Sequence, residues 1–152
     1  LVAEAVARLR VQAEQKRLTV TCAVAPGTPA AYCDYEKVQQ VVINLLANAI
    51  EFTPSGGQIR ITIAPAGGEV RVTVADTGIG IPPEDLPRIF ERFYRVEKAR
   101  SRTMGGTGLG LSIAKQIVEL SGGKIDIEAE VGRGTAVTFT LPAAGAAEVN
   151  AP

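Results

Sequence analysis

The sequence predicts an α/β domain: a two-layer sandwich with a mostly antiparallel mixed sheet and helices on one face. Three observations carry this expectation. Five short segments alternate apolar and polar residues with period two, so each strand has one face for a core and one for water. A sheet covered on both faces would instead read as continuous apolar runs. Between the strands lie segments with a helical apolar period, and each layer needs the other to bury its apolar side. At 152 residues, with 46% hydrophobic and 21% charged residues, the chain suits a single core.

Along the chain, Val2, Val6, Leu9 and Ala13 give residues 1–16 a helical period. Leu18, Val20, Cys22 and Val24 alternate with Thr19 and Thr21 as a half-buried strand, and Pro26-Gly27 marks a turn. After the short stretch Ala30 to Cys33, Asp34 stands as an N-cap. Residues 35–51 form a long helix on the stripe Val38, Val41, Val42, Leu45, Leu46 and Ala49, ended by Thr53-Pro54-Ser55-Gly56-Gly57. Ile59, Ile61 and Ile63, then Val70, Val72 and Val74, predict a hairpin turning at Gly67-Gly68. Residues 76–107 are rich in Gly, Pro and charge, with one short helical stretch from Leu86 to Phe93. Irregular connections of that length often carry function. A second helix spans Gly108 to Ser121 and stops at Gly122-Gly123. Ile125, Ile127 and Ala129, then Val137, Phe139 and Leu141, mark the last two strands. One domain over residues 1–141 follows, with 142–152 an Ala-rich disordered tail.

Composition removes several function classes. Sixteen basic and sixteen acidic residues cancel, so no global field favours nucleic acid or a membrane surface. No apolar run approaches the roughly 20 residues of a membrane span. There is no signal-peptide pattern, and the chain opens without Met, as an excised piece would. Cys22 and Cys33 fit neither a disulfide framework nor a zinc pattern, and are expected as buried thiols in a reducing cytosol. The absence of His removes imidazole as base, metal ligand or phosphate acceptor within these residues.

Four motifs carry chemistry. Asn44 and Asn48 stack at i, i+4 on the long helix, with Glu51 continuing the row, and their amide oxygens suit a hard cation such as Mg²⁺. A solvated amide pair is the plain alternative. Asp76-Thr77-Gly78-Ile79-Gly80 follows the Val70, Val72, Val74 row, so its carboxylate points coreward and requires donors. An adenine amino group is one such donor, and an Asx turn is the local alternative. Gly105-Gly106-Thr107-Gly108-Leu109-Gly110 opens the second helix, where free N–H groups favour anions. It is neither a dinucleotide fingerprint nor a P-loop. Phe90, Phe93 and Tyr94 adjoin Arg95, Lys98, Arg100 and Arg102, either a basic flap over a polyphosphate, a docking face, or a solvated loop.

The ordered set Asn44…Asn48, Asp76-x-Gly78-x-Gly80, Phe90…Phe93, Gly106-Thr107-Gly108-Leu109-Gly110 and Gly132-Arg133-Gly134-Thr135 resembles the N, G1, F, G2 and late G boxes of sensor histidine kinases, over about Asp34 to Leu141. The resemblance implies the Bergerat fold with a flexible ATP lid, and a domain that binds Mg-ATP and donates the γ-phosphoryl to a histidine elsewhere. By position, Asn48 would coordinate Mg²⁺ with Asn44 beside the metal and phosphates. Asp76 would accept from the adenine amino group, with Gly78 and Gly80 lining the pocket. Arg95 and Lys98 would reach phosphate oxygens, Tyr94 would border the nucleotide, and Gly106, Thr107, Gly108, Leu109 and Gly110 would wrap the phosphates. Glu51, Phe52 and Thr135 complete the expected ATP-binding set, and Phe90 and Phe93 would hinge the lid or dock the histidine-bearing domain.

One departure stands out: the family usually has Lys where this chain has Glu51, and a carboxylate repels phosphate by about 1 kcal/mol at 4 Å in bulk water. Two rivals follow. An autonomous ATPase of the same fold would need a general base one turn before Asn48, where Asn44 cannot accept a proton. A degenerate nucleotide-binding or interaction module would signal without phosphoryl transfer. The resemblance further implies a dimerisation and histidine-phosphotransfer domain of the same kinase as direct partner, and a response regulator as indirect partner. It implies a membrane-anchored parent, with this part a cytoplasmic monomer.

Overall fold

The computed structural model of the chain describes residues 1–92, 94 and 110–144. In chain order these form α1 (Val2–Arg8), α2 (Arg10–Gln15), β1 (Thr19–Val24), α3 (Tyr35–Phe52), β2 (Gln58–Ala66), β3 (Glu69–Asp76), a 3₁₀ turn (Leu86–Arg88), α4 (Gly110–Leu120), β4 (Ile125–Glu130) and β5 (Gly134–Pro142). The strands make one sheet in the order β1-β2-β3-β5-β4. Only the β1–β2 pair is parallel, and the other three are antiparallel. This is the mixed, mostly antiparallel sheet expected from the alternation.

The core lies on one face. α3 begins because Asp34, in an extended conformation, accepts the Lys37 N–H on its Oδ1 at 3.2 Å, capping an otherwise orphaned donor. It buries Val38, Val41, Val42, Leu45, Leu46, Ala49 and Ile50. These meet Ile59, Ile61, Val72, Val74 and Phe139 from the sheet, and Ala114 and Val118 from α4. Phe139 is fully buried at the centre, worth about 3–5 kcal/mol against alanine. On the open face, Thr73 and Thr138 share a hydroxyl contact at 3.1 Å across β3 and β5. The β2–β3 hairpin turns at Gly67 and Gly68, whose φ of 54° and 82° fit a two-residue turn with both central residues left-handed.

Several expectations are corrected. The single helix over 1–16 is two helices broken at Leu9, whose N–H bonds Val6 O at 3.2 Å. The apolar period continues in phase across the break, so periodicity could not reveal it. β1 is an edge strand that buries little: Cys22 is exposed, and Val24 is 61% exposed. Cys33 is half-buried, so neither thiol is a core residue. Of the short helix expected from Leu86 to Phe93, the described residues form a single 3₁₀ turn, Leu86–Arg88, with Pro87 inside it, and Phe93 lies outside the described residues. The second long helix begins at Gly110, while its expected first residues, Gly108 and Leu109, lie outside the described residues. The chain also stays paired beyond Leu141. Ala143 is buried and bridges Ala31, and Tyr32 and Ala144 N–H groups bond Pro142 O and Ala30 O. Residues 142–144 therefore belong to the domain rather than to a tail. Among the described residues, no helix is long and apolar enough to cross a membrane.

Candidate functional site

Asp76 is the last residue of β3, cross-strand from Ile59 on β2 and Thr135 on β5. Its Oδ1 accepts the Gly78 N–H at 2.8 Å and the Thr135 N–H at 3.2 Å. The first bond is the local Asx turn that the sequence allows. The second comes from another strand and fixes the carboxylate from a second direction. Both backbone donors meet the same oxygen, so Oδ2 keeps its lone pairs for a further donor. Burial pushes the Asp76 carboxyl up from its ordinary value, and the two N–H bonds offset part of that rise.

Glycines set the walls around this carboxylate. A Cβ on Gly78 would lie 2.5 Å from Phe52 O and 2.7 Å from Asp76 Oδ1. On Gly80 it would lie 2.1 Å from Glu130 O, and on Gly134 it would lie 1.9 Å from Asp76 O. The loop after β3 thus packs directly on the end of α3 and on the β4–β5 turn. The Ile79 peptide ties both sides: its N–H bonds Phe52 O at 3.1 Å, and its carbonyl accepts Gly132 N–H at 3.0 Å. Asp76, Gly78, Gly80, Phe52 and Thr135 therefore come together as one cluster. Gly134 joins them, although sequence reasoning gave it no role of its own. The Gly-x-Gly-Thr spacing was the available signal, but the distant strand it abuts was not legible.

A second cluster forms on the exposed shoulder of α3. Asn44 Oδ1 accepts from Gln40 Nε2 at 2.8 Å, and Asn44 Nδ2 donates to Gly110 O at 3.3 Å. Asn44 thus spends its amide on α3 and α4, linking the N-box position to the first residue of the helix after the Gly-rich segment. Asn48 lies one turn further on and is half-buried. No group of three or more His, Cys, Asp or Glu side chains that could hold a metal occurs among the described residues. An amide oxygen completed by phosphate and water oxygens matches what Mg²⁺ takes, and does not suit a metal needing an all-protein cage. Glu51 Oε1 is buried in the last turn of α3.

The remaining expected residues lie elsewhere or outside the described residues. Tyr94 turns back onto its own segment: its hydroxyl donates to Asp85 Oδ1, and the Arg88 guanidinium lies 4.6 Å from its ring centroid. Arg88 in turn pairs with Glu91 at 2.9 Å. In this conformation Tyr94 braces the 85–94 segment. Phe90 is half-buried, with Lys115 Nζ of α4 at 5.4 Å from its centroid. Phe93, Arg95, Lys98, Gly106, Thr107, Gly108 and Leu109 lie outside the described residues.

This geometry coincides with known proteins. Residues 33–145 match the family model described as histidine kinase-, DNA gyrase B-, and HSP90-like ATPase. The sensor histidine kinase WalK of Bacillus subtilis (strain 168) is 47% identical over 111 residues, 72% of this chain and 18% of WalK. The sensor protein SrrB of Staphylococcus aureus (strain NCTC 8325 / PS 47) is 41% identical over 135 residues, 89% of this chain and 23% of SrrB. The chain thus spans about a fifth of the length of these curated relatives. Among solved structures, the catalytic domain of histidine kinase ThkA superposes with a TM-score of 0.81 at 31% identity, covering 93% of this chain and 90% of that one. Full-length ShkA in complex with AMPPNP gives 0.81 at 31% identity, covering 93% of this chain and 29% of that one. The mycobacterial sensor histidine kinase MprB gives 0.78 at 31% identity, covering 93% and 95%. With the matched residues spanning both clusters, the chain belongs to the histidine kinase-, DNA gyrase B- and HSP90-like ATPase family, as an ATP-binding catalytic domain of the sensor histidine kinase type.

Proposed function

We propose that this domain binds Mg-ATP with the adenine amino group on Asp76 and hands the γ-phosphoryl to a histidine on a separate helical domain of the same kinase. The observation that carries the reading is the carboxylate of Asp76. Two backbone donors converge on one of its oxygens, and glycines hold the surrounding walls too close for side chains. A half-buried acceptor of this kind is stabilised by a ligand N–H. Phe52, Gly78, Gly80 and Thr135 frame the adenine, while Gly110 and the segment 106–109 before it receive phosphates at a helix N-terminus. Asn48 is the residue we assign to Mg²⁺, which when bound neutralises phosphate charge. Asn44 stands beside it as a neighbour that already shares its amide. Arg95 and Lys98 supply cations to the polyphosphate, and Phe90 and Phe93 meet the histidine-bearing domain.

Catalysis in this scheme is positioning and charge neutralisation, with no proton-abstracting side chain required of the chain. Asn44 occupies the place one turn before Asn48, and an amide cannot activate water, so hydrolysis is slow. No His occurs in the 152 residues, and the acceptor must come from outside them. From that histidine the phosphoryl passes to a response regulator, the parent being a membrane-anchored sensor with this part on the cytoplasmic side.

Titration with a non-hydrolysable ATP analogue, with and without Mg²⁺, tests the reading. Binding that tightens with Mg²⁺, is lost in Asp76→Asn and weakens in Asn48→Ala supports it. No binding at millimolar analogue would move the interaction module to the front, with the Glu51 carboxylate as the first cause to test by Glu51→Lys.

A further inference from the structure

The last four carbonyls of an α-helix have no partner inside it. In α3 all four are matched, and by three different parts of the chain. Ala49 O accepts from Thr53 Oγ1 at 2.5 Å, and Phe52 O accepts from Ile79 N–H at 3.1 Å. The two between them, Ile50 O and Glu51 O, both accept from the ammonium of Lys16, at 2.5 and 3.0 Å. α3 has no basic residue in its last turn and carries Glu51 there, against the negative end of its own dipole. Lys16 brings that turn a cation from more than thirty residues away in sequence.

The backbone is arranged to deliver it. Lys16 lies between α2 and β1, and its carbonyl accepts Gly56 N–H at 3.0 Å, tying it to the loop that leaves α3. The next residue, Arg17, has φ of 55°, the one positive φ on a non-glycine residue among those described. Such a conformation costs free energy, and persists where surrounding contacts impose it.

We propose that Lys16 is a positioning residue of the nucleotide site. By holding the end of α3, its ammonium sets where Phe52 O stands, and Phe52 O anchors the Ile79 N–H in the loop between Gly78 and Gly80. The carboxylate of Asp76 takes its Gly78 donor from that same loop. Lys16 bonds the backbone carbonyls of Ile50 and Glu51, and acts through the turn that frames adenine. This inference rests on the nucleotide reading above.

The test uses Lys16→Met, which keeps length and removes charge, and Lys16→Arg, which restores a cation. Lys16→Gln, which keeps a donor, serves if Lys16→Met does not fold. Competition titrations measure affinity for the ATP analogue and for inorganic tripolyphosphate, and amide hydrogen exchange is followed at Ile79, Ile61 and Val74. Expected for Lys16→Met is analogue affinity lowered about tenfold, the scale of one charge-assisted hydrogen bond, with tripolyphosphate changed less than about twofold. Ile79 exchange rises while Ile61 and Val74 keep their protection, and Lys16→Arg recovers most of both. A lower unfolding midpoint with unchanged analogue affinity and unchanged Ile79 exchange would overturn the proposal, leaving Lys16 a plain stability residue. Equal loss for tripolyphosphate would also overturn it. Failure of the unmodified chain to bind the analogue refutes the nucleotide reading instead, and the Ile79 exchange comparison then decides the coupling alone.

Discussion

The two halves of the candidate site are built by different means. Around Asp76 the partners are mainly backbone: N–H groups from Gly78 and Thr135, carbonyls of Phe52 and Glu130, and glycines where strands and loops nearly touch. At Asn44 and Asn48 the groups on offer are side-chain amides, and Asn44 already shares its own between the Gln40 side chain and the Gly110 backbone carbonyl. Backbone partners cannot change without moving an element, whereas amides can exchange one partner for another. The first half is fixed by the fold, and the second can rearrange when a ligand arrives.

The largest expected effect separates them most sharply. Gly134→Ala would place a Cβ 1.9 Å from Asp76 O at φ of 125°, so β5 must withdraw from β3 at the carboxylate. We expect a loss of about 3 kcal/mol or more in urea unfolding, in the range of severe backbone and overpacking changes. Gly67→Ala, also left-handed but with nothing within 4 Å, should cost only about 1–2 kcal/mol. Equal losses at the two positions would show that the close approach at Asp76 does not matter. Gly110→Ala on the amide side should be harmless or stabilising by up to about 1 kcal/mol, since among the described residues its Cβ would meet only Asn44 Cβ, at 4.0 Å, within a helix.

Next in size is Asp76→Asn. The amide oxygen can keep both backbone N–H bonds, while the other oxygen becomes a donor facing the adenine amino group. The fold should survive and analogue affinity should fall by about 100-fold, the scale of a buried mispaired polar group. The pH dependence gives a second handle. Burial raises the folded carboxyl above its ordinary value near 3.8. In the window from that value up to the raised one, the folded state binds more protons than the unfolded state, so stability falls as pH rises through it. Asp76→Asn should therefore be at least as stable as the unmodified chain at neutral pH, and its relative advantage should shrink as pH falls toward 3.8. A gap that widens on acidification would contradict the burial of this carboxylate.

Much of the first half was legible in the sequence, for a physical reason. Asp76 continues the Val70, Val72, Val74 row, so period two alone aimed its carboxylate inward, and Gly78 and Gly80 marked the close approach. The helix of Asn44 and Asn48 was equally legible from its cap and stripe. Contacts that depend on three-dimensional register were not. Nothing in the order of residues places Gly134 against Asp76, or Lys16 on the end of α3. Nor does local pattern say that Tyr94 will bond Asp85, or that an alternating segment such as β1 will lie at a sheet edge with Cys22 and Val24 in solvent. Periodicity reports which face a residue takes, while tertiary placement decides whether anything covers that face.

The smallest expected effect probes the adaptable half directly. Gln40 Nε2 holds Asn44 Oδ1 at 2.8 Å on the exposed side of α3, a pair at i, i+4 worth about 0.2–0.5 kcal/mol. Gln40→Ala should therefore change unfolding by no more than that. Releasing Asn44 Oδ1 gives a cation near Asn48 a second amide oxygen, so the enhancement of analogue binding by Mg²⁺ should increase by about twofold. The affinity without Mg²⁺ should stay the same, because the bonds that fix Asp76 come from Gly78 and Thr135 and not from Gln40 or Asn44. An unchanged Mg²⁺ enhancement would mean that Asn44 serves α4 through Gly110 and that Asn48 alone meets the metal. A fall in affinity both with and without Mg²⁺ would instead make Gln40 part of the fixed half, and the division between backbone-built and amide-built clusters would have to be redrawn at α3.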